Sequence, residues 1–165
     1  MEKYLLLIRG PPGVGKSTIA DLVCKKFPTD AVVVHKDMIQ FQFPQKGEAP
    51  VHDIVCAIAR TVLKNKMSVI IDGVYGGASA VKSIANLMKV AKEEGARFRI
   101  VFLHAHKKVC IERNKVRGQK ISRLHLLKWH GYAYASKAPK GEIIDTGGLS
   151  RVQTANRVLK VVRSG

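Results

Sequence analysis

Gly10-Pro11-Pro12-Gly13-Val14-Gly15-Lys16-Ser17 is the stretch on which the fold turns. It has the Walker A form, two glycines bracketing a short loop that ends in lysine and a hydroxyl residue. Glycines let backbone amides turn inward around phosphate oxygens, and a following helix offers free amides and its positive end to the same anion. The flanks suit such a loop. Tyr4 to Ile8 is an unbroken apolar run, the pattern of a strand buried on both faces. On the other side Ile19, Leu22, Val23 and Phe27 recur at helical spacing. Lys16 is expected to reach the β- and γ-phosphates of a nucleotide, Ser17 to ligate magnesium and Thr18 to contact the α-phosphate. ATP and Mg2+ are the cofactors this implies.

Outward from the loop, strand and helix patterns alternate. Ala31 to Val34, Ser68 to Ile71, Phe98 to Leu103 and the pair Ile143-Ile144 read as further strands. Helical spacing runs over Val51 to Lys64, Ala80 to Ala91, Lys108 to Val116, Ser122 to Ala135 and Arg151 to Val162. Phe41 to Pro50 reads as a loop, with Pro44, Gly47 and Pro50 as breakers. Alternation of this kind implies an α/β fold, a five-stranded parallel sheet with helices on both faces. The 165 residues, 46% of them hydrophobic, suffice for one domain over residues 1–165.

Two acids stand where strands end. Asp72 closes Val69-Ile70-Ile71, a Walker B arrangement, and is expected to hold magnesium through water; an Asp capping the Gly73 turn is the alternative. Asp37 follows the second strand in His35-Lys36-Asp37. A kinase acting on a hydroxyl needs a carboxylate near the acceptor to orient or accept its proton, and Asp37 is the best placed; helix N-capping of Met38 to Phe41 is compatible with that role.

The charge is lopsided: Lys and Arg number 29 against 12 Asp and Glu, a net +17. Such a surface favours anionic partners, nucleic acid first. Residues 107–140 hold ten of the basic residues and one acid, Glu112, hence +9. Within this segment Arg113 and Arg117 are four apart, so a helix would put both on one face, to close over donor phosphates and neutralise transition-state charge. Trp129, His130, Tyr132 and Tyr134 lie among the lysines; such rings can stack on unpaired bases, although Trp129 beside Leu126 and Leu127 also fits ordinary helix packing. Cys24, Cys56 and Cys110 lack disulfide or zinc spacing and are expected to be reduced. No apolar run approaches the roughly 20 residues of a membrane helix, so no membrane partner and a cytoplasmic location are expected.

Taken together, Arg9 to Thr18, Asp37, Asp72 and the run Arg113-Asn114-Lys115-Val116-Arg117-Gly118-Gln119-Lys120 resemble the kinase domain of phage-type polynucleotide 5′-kinase. That family carries an Arg-Asn, then an Arg-Gly, then a Lys in the same order. Ile143-Ile144-Asp145-Thr146 also resembles the adenine-side strand end of small P-loop kinases, which puts Thr146 at the nucleotide. The resemblance implies a nucleoside-monophosphate-kinase-like core with sheet order 2-3-1-4-5, a lid at about 113–122, and γ-phosphoryl transfer to a 5′-hydroxyl of RNA or DNA. Asp37 would be the general base, and Arg117 would hold donor phosphates. One position departs: where the family has an arginine that grips the substrate phosphate, this chain has Gln40, a poor phosphate clamp. Lys36 or Lys120 could substitute, or the acceptor could lack that phosphate. A phosphatase partner, if used, is expected on a separate chain.

Three functions fit these residues: a polynucleotide 5′-kinase, a kinase of the same core acting on a nucleoside, antibiotic or sugar alcohol, and an ATP-switched nucleic-acid-binding module. Gln40 leans toward the second, the surplus charge toward the first. Asp37→Asn separates both from the third.

Overall fold

The computed structural model describes residues 2–43, 47–118 and 121–164. Strand β1 (Tyr4–Arg9) is buried along its whole length and leads through the glycine loop into helix α1 (Lys16–Cys24). Then follow β2 (Ala31–His35), α2 (Lys36–Gln42), α3 (Glu48–Lys64), β3 (Ser68–Gly73), α4 (Ser79–Glu93) and β4 (Arg97–His104). The chain ends with α5 (Lys107–Lys115), α6 (Arg123–Ala135), β5 (Glu142–Asp145) and α7 (Arg151–Arg163). The five strands form one parallel sheet in the order β2-β3-β1-β4-β5, as the alternation and the family likeness imply.

The two-residue period of a strand divides the core. On β1, Tyr4, Leu6 and Ile8 pack with Ile19 and Val23 of α1 and Val158 and Val162 of α7. Leu5 and Leu7 point the other way, onto Val55 and Leu63 of α3 and Ile84 and Leu87 of α4. Each such aliphatic side chain contributes about 1.5–3 kcal/mol when fully buried. The register sets Asp72 beside Ile8 on one side and His35 on the other, so the polar strand ends of β1, β2 and β3 converge at one edge of the core.

Three local expectations need correction. The stretch from Phe41 to Pro50 is not one loop. Phe41 and Gln42 belong to α2, and α3 starts at Glu48. Pro50 is its third residue, and the first turn of a helix tolerates proline because its amides have no partner there. Pro44 lies outside the described residues. Phe27 stands past α1 and packs edge-on against Tyr4, with ring centroids 5.8 Å apart. Finally, α5 ends at Lys115, so Arg117 does not share a helix face with Arg113.

Candidate active site

The phosphate loop is shaped by backbone contact as well as by φ. Gly10, Gly13 and Gly15 have φ of 150°, 80° and 101°. A Cβ at Gly10 would lie 2.3 Å from the Leu103 carbonyl oxygen, and one at Gly13 would lie 2.8 Å from that of Cys110. Gly15 caps α1 without a side-chain bond, so no capping side chain takes the amides of the first turn. Pro11, Pro12 and Val14 are buried beneath the loop. Ser17 and Thr18 stand on the exposed side of the helix start.

Lys16 is buried, and its Nζ donates to the Pro11 carbonyl at 3.1 Å across the loop. Burial pushes its pKa down, Asp37 and Asp72 act to raise it, and Arg117 lowers it again. One ammonium therefore feels all three groups that the sequence singles out around the transferred phosphate. Ser17 Oγ donates to Asp72 Oδ2 at 2.8 Å, which brings two hard oxygens to the mouth of the loop. Among the described residues no three His, Cys, Asp or Glu gather into a metal cluster. Magnesium needs no such cluster, since it commonly takes one or two protein oxygens plus phosphates and water. Ser17 and Asp72 fit that ion, and the uncapped glycine loop fits a nucleotide's phosphates.

Asp72 is 1% exposed and is held by more than the serine. His35 Nδ1 faces its Oδ1 at 2.5 Å, and His35 Nε2 lies 3.3 Å from Asp21 Oδ1. The bond to Asp72 raises the His35 pKa most strongly; burial opposes it and Asp21 adds to it. Asp37 is the second residue of α2, whose N-cap is His35, so the capping alternative for Asp37 is corrected. The helix simply starts two residues early, and the Asp37 charge still sits in the first turn, where it favours the helix.

Lys36 is 4% exposed, with its Nζ 5.1 Å above the Tyr75 ring. Gln40 Oε1 is buried and has no hydrogen-bond partner among the described residues. Arg113 is committed to protein oxygens: it donates to the Val14 carbonyl at 3.2 Å, to Thr146 Oγ1 at 2.9 Å and to the Thr146 carbonyl at 2.8 Å. It thereby ties α5 to the phosphate loop and to the end of β5. Arg117 is exposed, two residues past the helix. Lys120 lies outside the described residues. Asn114, near the end of α5, donates to the Ile121 carbonyl at 2.6 Å and accepts from its amide at 3.0 Å.

One central residue was not singled out from sequence. Arg9 is fully buried. It donates to the carbonyls of Tyr75 at 2.6 Å, Ala138 at 3.1 Å and Pro139 at 2.8 Å, and its guanidinium lies 5.4 Å from the centre of the Phe102 ring. It joins the loop after β3 and the segment after α6 to the strand that carries the phosphate loop. Burial lowers its pKa to about 10, so it remains charged at neutral pH. The available signal was a lone cation closing an apolar run, directly before Gly10. All three cysteines are free thiols, as expected.

Residues 5–139, which contain the glycine loop, Asp37, Asp72, Arg113 and Arg117, match the family model described as AAA domain. The chain belongs to this AAA domain family. The L-seryl-tRNA(Sec) kinase of Methanococcus maripaludis is 27% identical over 169 residues, a match covering 95% of this AAA domain chain and 65% of that protein. The chain thus spans just under two thirds of that relative's length. Among solved structures, the Mycobacterium tuberculosis APS kinase in complex with AMPPNP and APS superimposes with a TM-score of 0.73 at 20% identity, covering 99% of this chain and 98% of that one. A chain of the Pnkp1/Rnl/Hen1 RNA repair complex gives 0.62 at 22% identity, covering 82% of this chain and 45% of that one. The fold of this AAA domain is that of a P-loop phosphotransferase. No helix among the described residues is long and apolar enough to cross a membrane.

Proposed function

We propose that this AAA domain is an ATP- and magnesium-dependent kinase whose acceptor is a hydroxyl carried on RNA, the 5′-hydroxyl first among them. The carrying observation is the glycine cradle with Lys16 buried across it and, at its mouth, the Ser17 hydroxyl bonded to Asp72 at 2.8 Å. ATP, when bound, supplies the γ-phosphoryl group, and magnesium screens its charge. Lys16 and the loop amides grip the donor phosphates, while Ser17 and Asp72 present oxygens to the ion. Asp37, freed from the capping role, orients the acceptor hydroxyl and takes its proton. Arg117, exposed just past α5, closes on the donor. Arg113 braces the cradle through Val14 and Thr146.

RNA is favoured over DNA by two likenesses: a kinase named for a tRNA substrate and a protein of an RNA repair complex. The net charge of +17 favours a polyanionic acceptor of either kind over a small molecule. A small-molecule acceptor is the second reading. Gln40 in place of a cationic clamp favours it, as does Lys36 lying under Tyr75 rather than in solvent.

The test is transfer of labelled γ-phosphate to a 5′-hydroxyl RNA oligonucleotide, the matching DNA, seryl-tRNA and a nucleoside panel, each across a salt series. RNA labelling with affinity falling by a log–log slope of about 0.7 per phosphate contacted supports an RNA acceptor. Labelling confined to a nucleoside or other small molecule, flat with salt, refutes it.

A further inference from the structure

The loop after β3 and helix α6 flank an open cleft of about 240 Å³, lined by Gly76, Gly77, Ser79, Lys128, Trp129 and Tyr132. Its construction is specific. Tyr75 and Gly77 have positive φ, 44° and 66°. The Gly77 amide donates to the Tyr132 carbonyl at 3.1 Å. A Cβ at Gly76 would lie 2.9 Å from the Tyr132 backbone, and one at Gly77 would lie 3.2 Å from its ring. Two glycines thus let the loop pass directly beneath the aromatic pair. Arg9 fixes this loop from below through the Tyr75 carbonyl.

The two rings are unequal. Trp129 packs against Val74, Phe102 and Ala133, which holds its position. Tyr132 is 43% exposed. Their centroids are 5.5 Å apart with planes at 44°, and Lys128 Nζ stands 5.9 Å from the Tyr132 ring centre. Tyr132 rests on Gly76, Gly77 and Trp129 but leaves much of its ring exposed, with Lys128 beside it. The cleft opens four residues beyond Asp72, on the loop that continues the strand carrying the proposed magnesium ligand. The cleft thus adjoins the carboxyl end of the same strand that carries Asp72.

We propose that this cleft is a stacking site for an unpaired nucleobase of the acceptor strand, held against Trp129 and Tyr132 with its phosphate toward Lys128. The site rests on the RNA reading given above and adds to it a second point of grip, one or more nucleotides from the reacting end. An aromatic–cation pair binds successive bases with little regard to sequence. Such a grip would also compensate for Gln40, since a strand anchored by stacking has less need of a cationic clamp at its terminal phosphate.

The chain has one tryptophan, so its fluorescence reports on this cleft. Asp37→Asn protein, which holds substrate without turnover, is titrated with single-stranded oligoadenylate, with base-paired RNA and with ATP–magnesium. Saturable quenching by the single strand, and neither by the duplex nor by ATP, is expected. Tyr132→Ala should weaken oligoadenylate binding about ten-fold and Tyr132→Phe should restore it, since one stack is worth that factor. The exposed Lys128→Gln should lower the salt slope by about 0.7. Should Tyr132→Ala not fold, Lys128→Gln and the quenching itself still decide. The inference is overturned if Trp129 responds equally to ATP, or if the wild type labels RNA while Tyr132→Ala keeps its RNA affinity. Absence of any RNA labelling sinks the acceptor reading; quenching that persists in that case leaves the stacking site standing, and its absence removes both.

Discussion

Replacing Arg9 with methionine removes a cation while keeping most of the side-chain volume. Three carbonyls lose their donor. Those of Tyr75 and Ala138 are buried, and that of Pro139 is on the rim, where water can reach it. Leaving a buried carbonyl unsatisfied costs about 1–3 kcal/mol, so two cost about 2–6 kcal/mol. Against this, the variant no longer desolvates a guanidinium that has no carboxylate partner among the described residues, a relief of about a third to a half of that sum in order of magnitude. The net loss is about 1–4 kcal/mol, which for a chain of this length lowers Tm by roughly 2–16 °C. Thermal unfolding by circular dichroism reads this directly. Arg9→Lys should fall almost as far, because one ammonium cannot span three carbonyls on different segments. A Tm for Arg9→Met within about 1 °C of wild type, or above it, would refute the reasoning, because the smallest net loss allowed above already exceeds that shift.

Three further outcomes follow from the same geometry. Gly13→Ala, at φ 80° with its Cβ 2.8 Å from the Cys110 carbonyl, should weaken ATP binding about ten-fold or more, measured by calorimetry, since the strain of about 1–3 kcal/mol falls on the loop itself. Arg113→Met should raise the ATP KM more than it lowers kcat, because Arg113 braces Val14 and Thr146; a kcat-only defect would return it to the transition state. His35 has a folded pKa above its unfolded value, so its bonds stabilise the fold fully below about pH 6.5 and are lost as pH rises through the folded pKa. Urea unfolding should therefore show a gap between wild type and His35→Gln that narrows from mildly acidic to alkaline pH.

The sheet was readable because its signals are local and redundant. Tyr4 to Ile8 carries both faces of the core in one apolar run, and the glycine loop fixes what must follow it. Asp72 was readable for the same reason, as the first charge after a buried strand. What escaped depends on contacts distant in sequence. Arg9 is defined by carbonyls 66 to 130 positions away, which no spacing rule reaches. His35 gains meaning only because β2 pairs with β3 in a register that sets it beside Asp72. The helix shared by Arg113 and Arg117 failed because Asn114 bonds Ile121 across the turn and draws the chain out of the helix. Pro50 misled because a proline breaks a helix interior but suits its first turn.

The most direct test of the proposed kinase site compares wild type and Asp37→Asn in single-turnover transfer of labelled γ-phosphate to a 5′-hydroxyl RNA, with ATP binding measured on the same preparations. If Asp37 serves the acceptor, ATP affinity stays near that of the wild type while transfer falls by about 10²–10⁴, the range that positioned general bases contribute. Transfer that survives in Asp37→Asn, or an ATP affinity lost in step with it, would contradict that role and leave the carboxylate as a structural neighbour of Lys16.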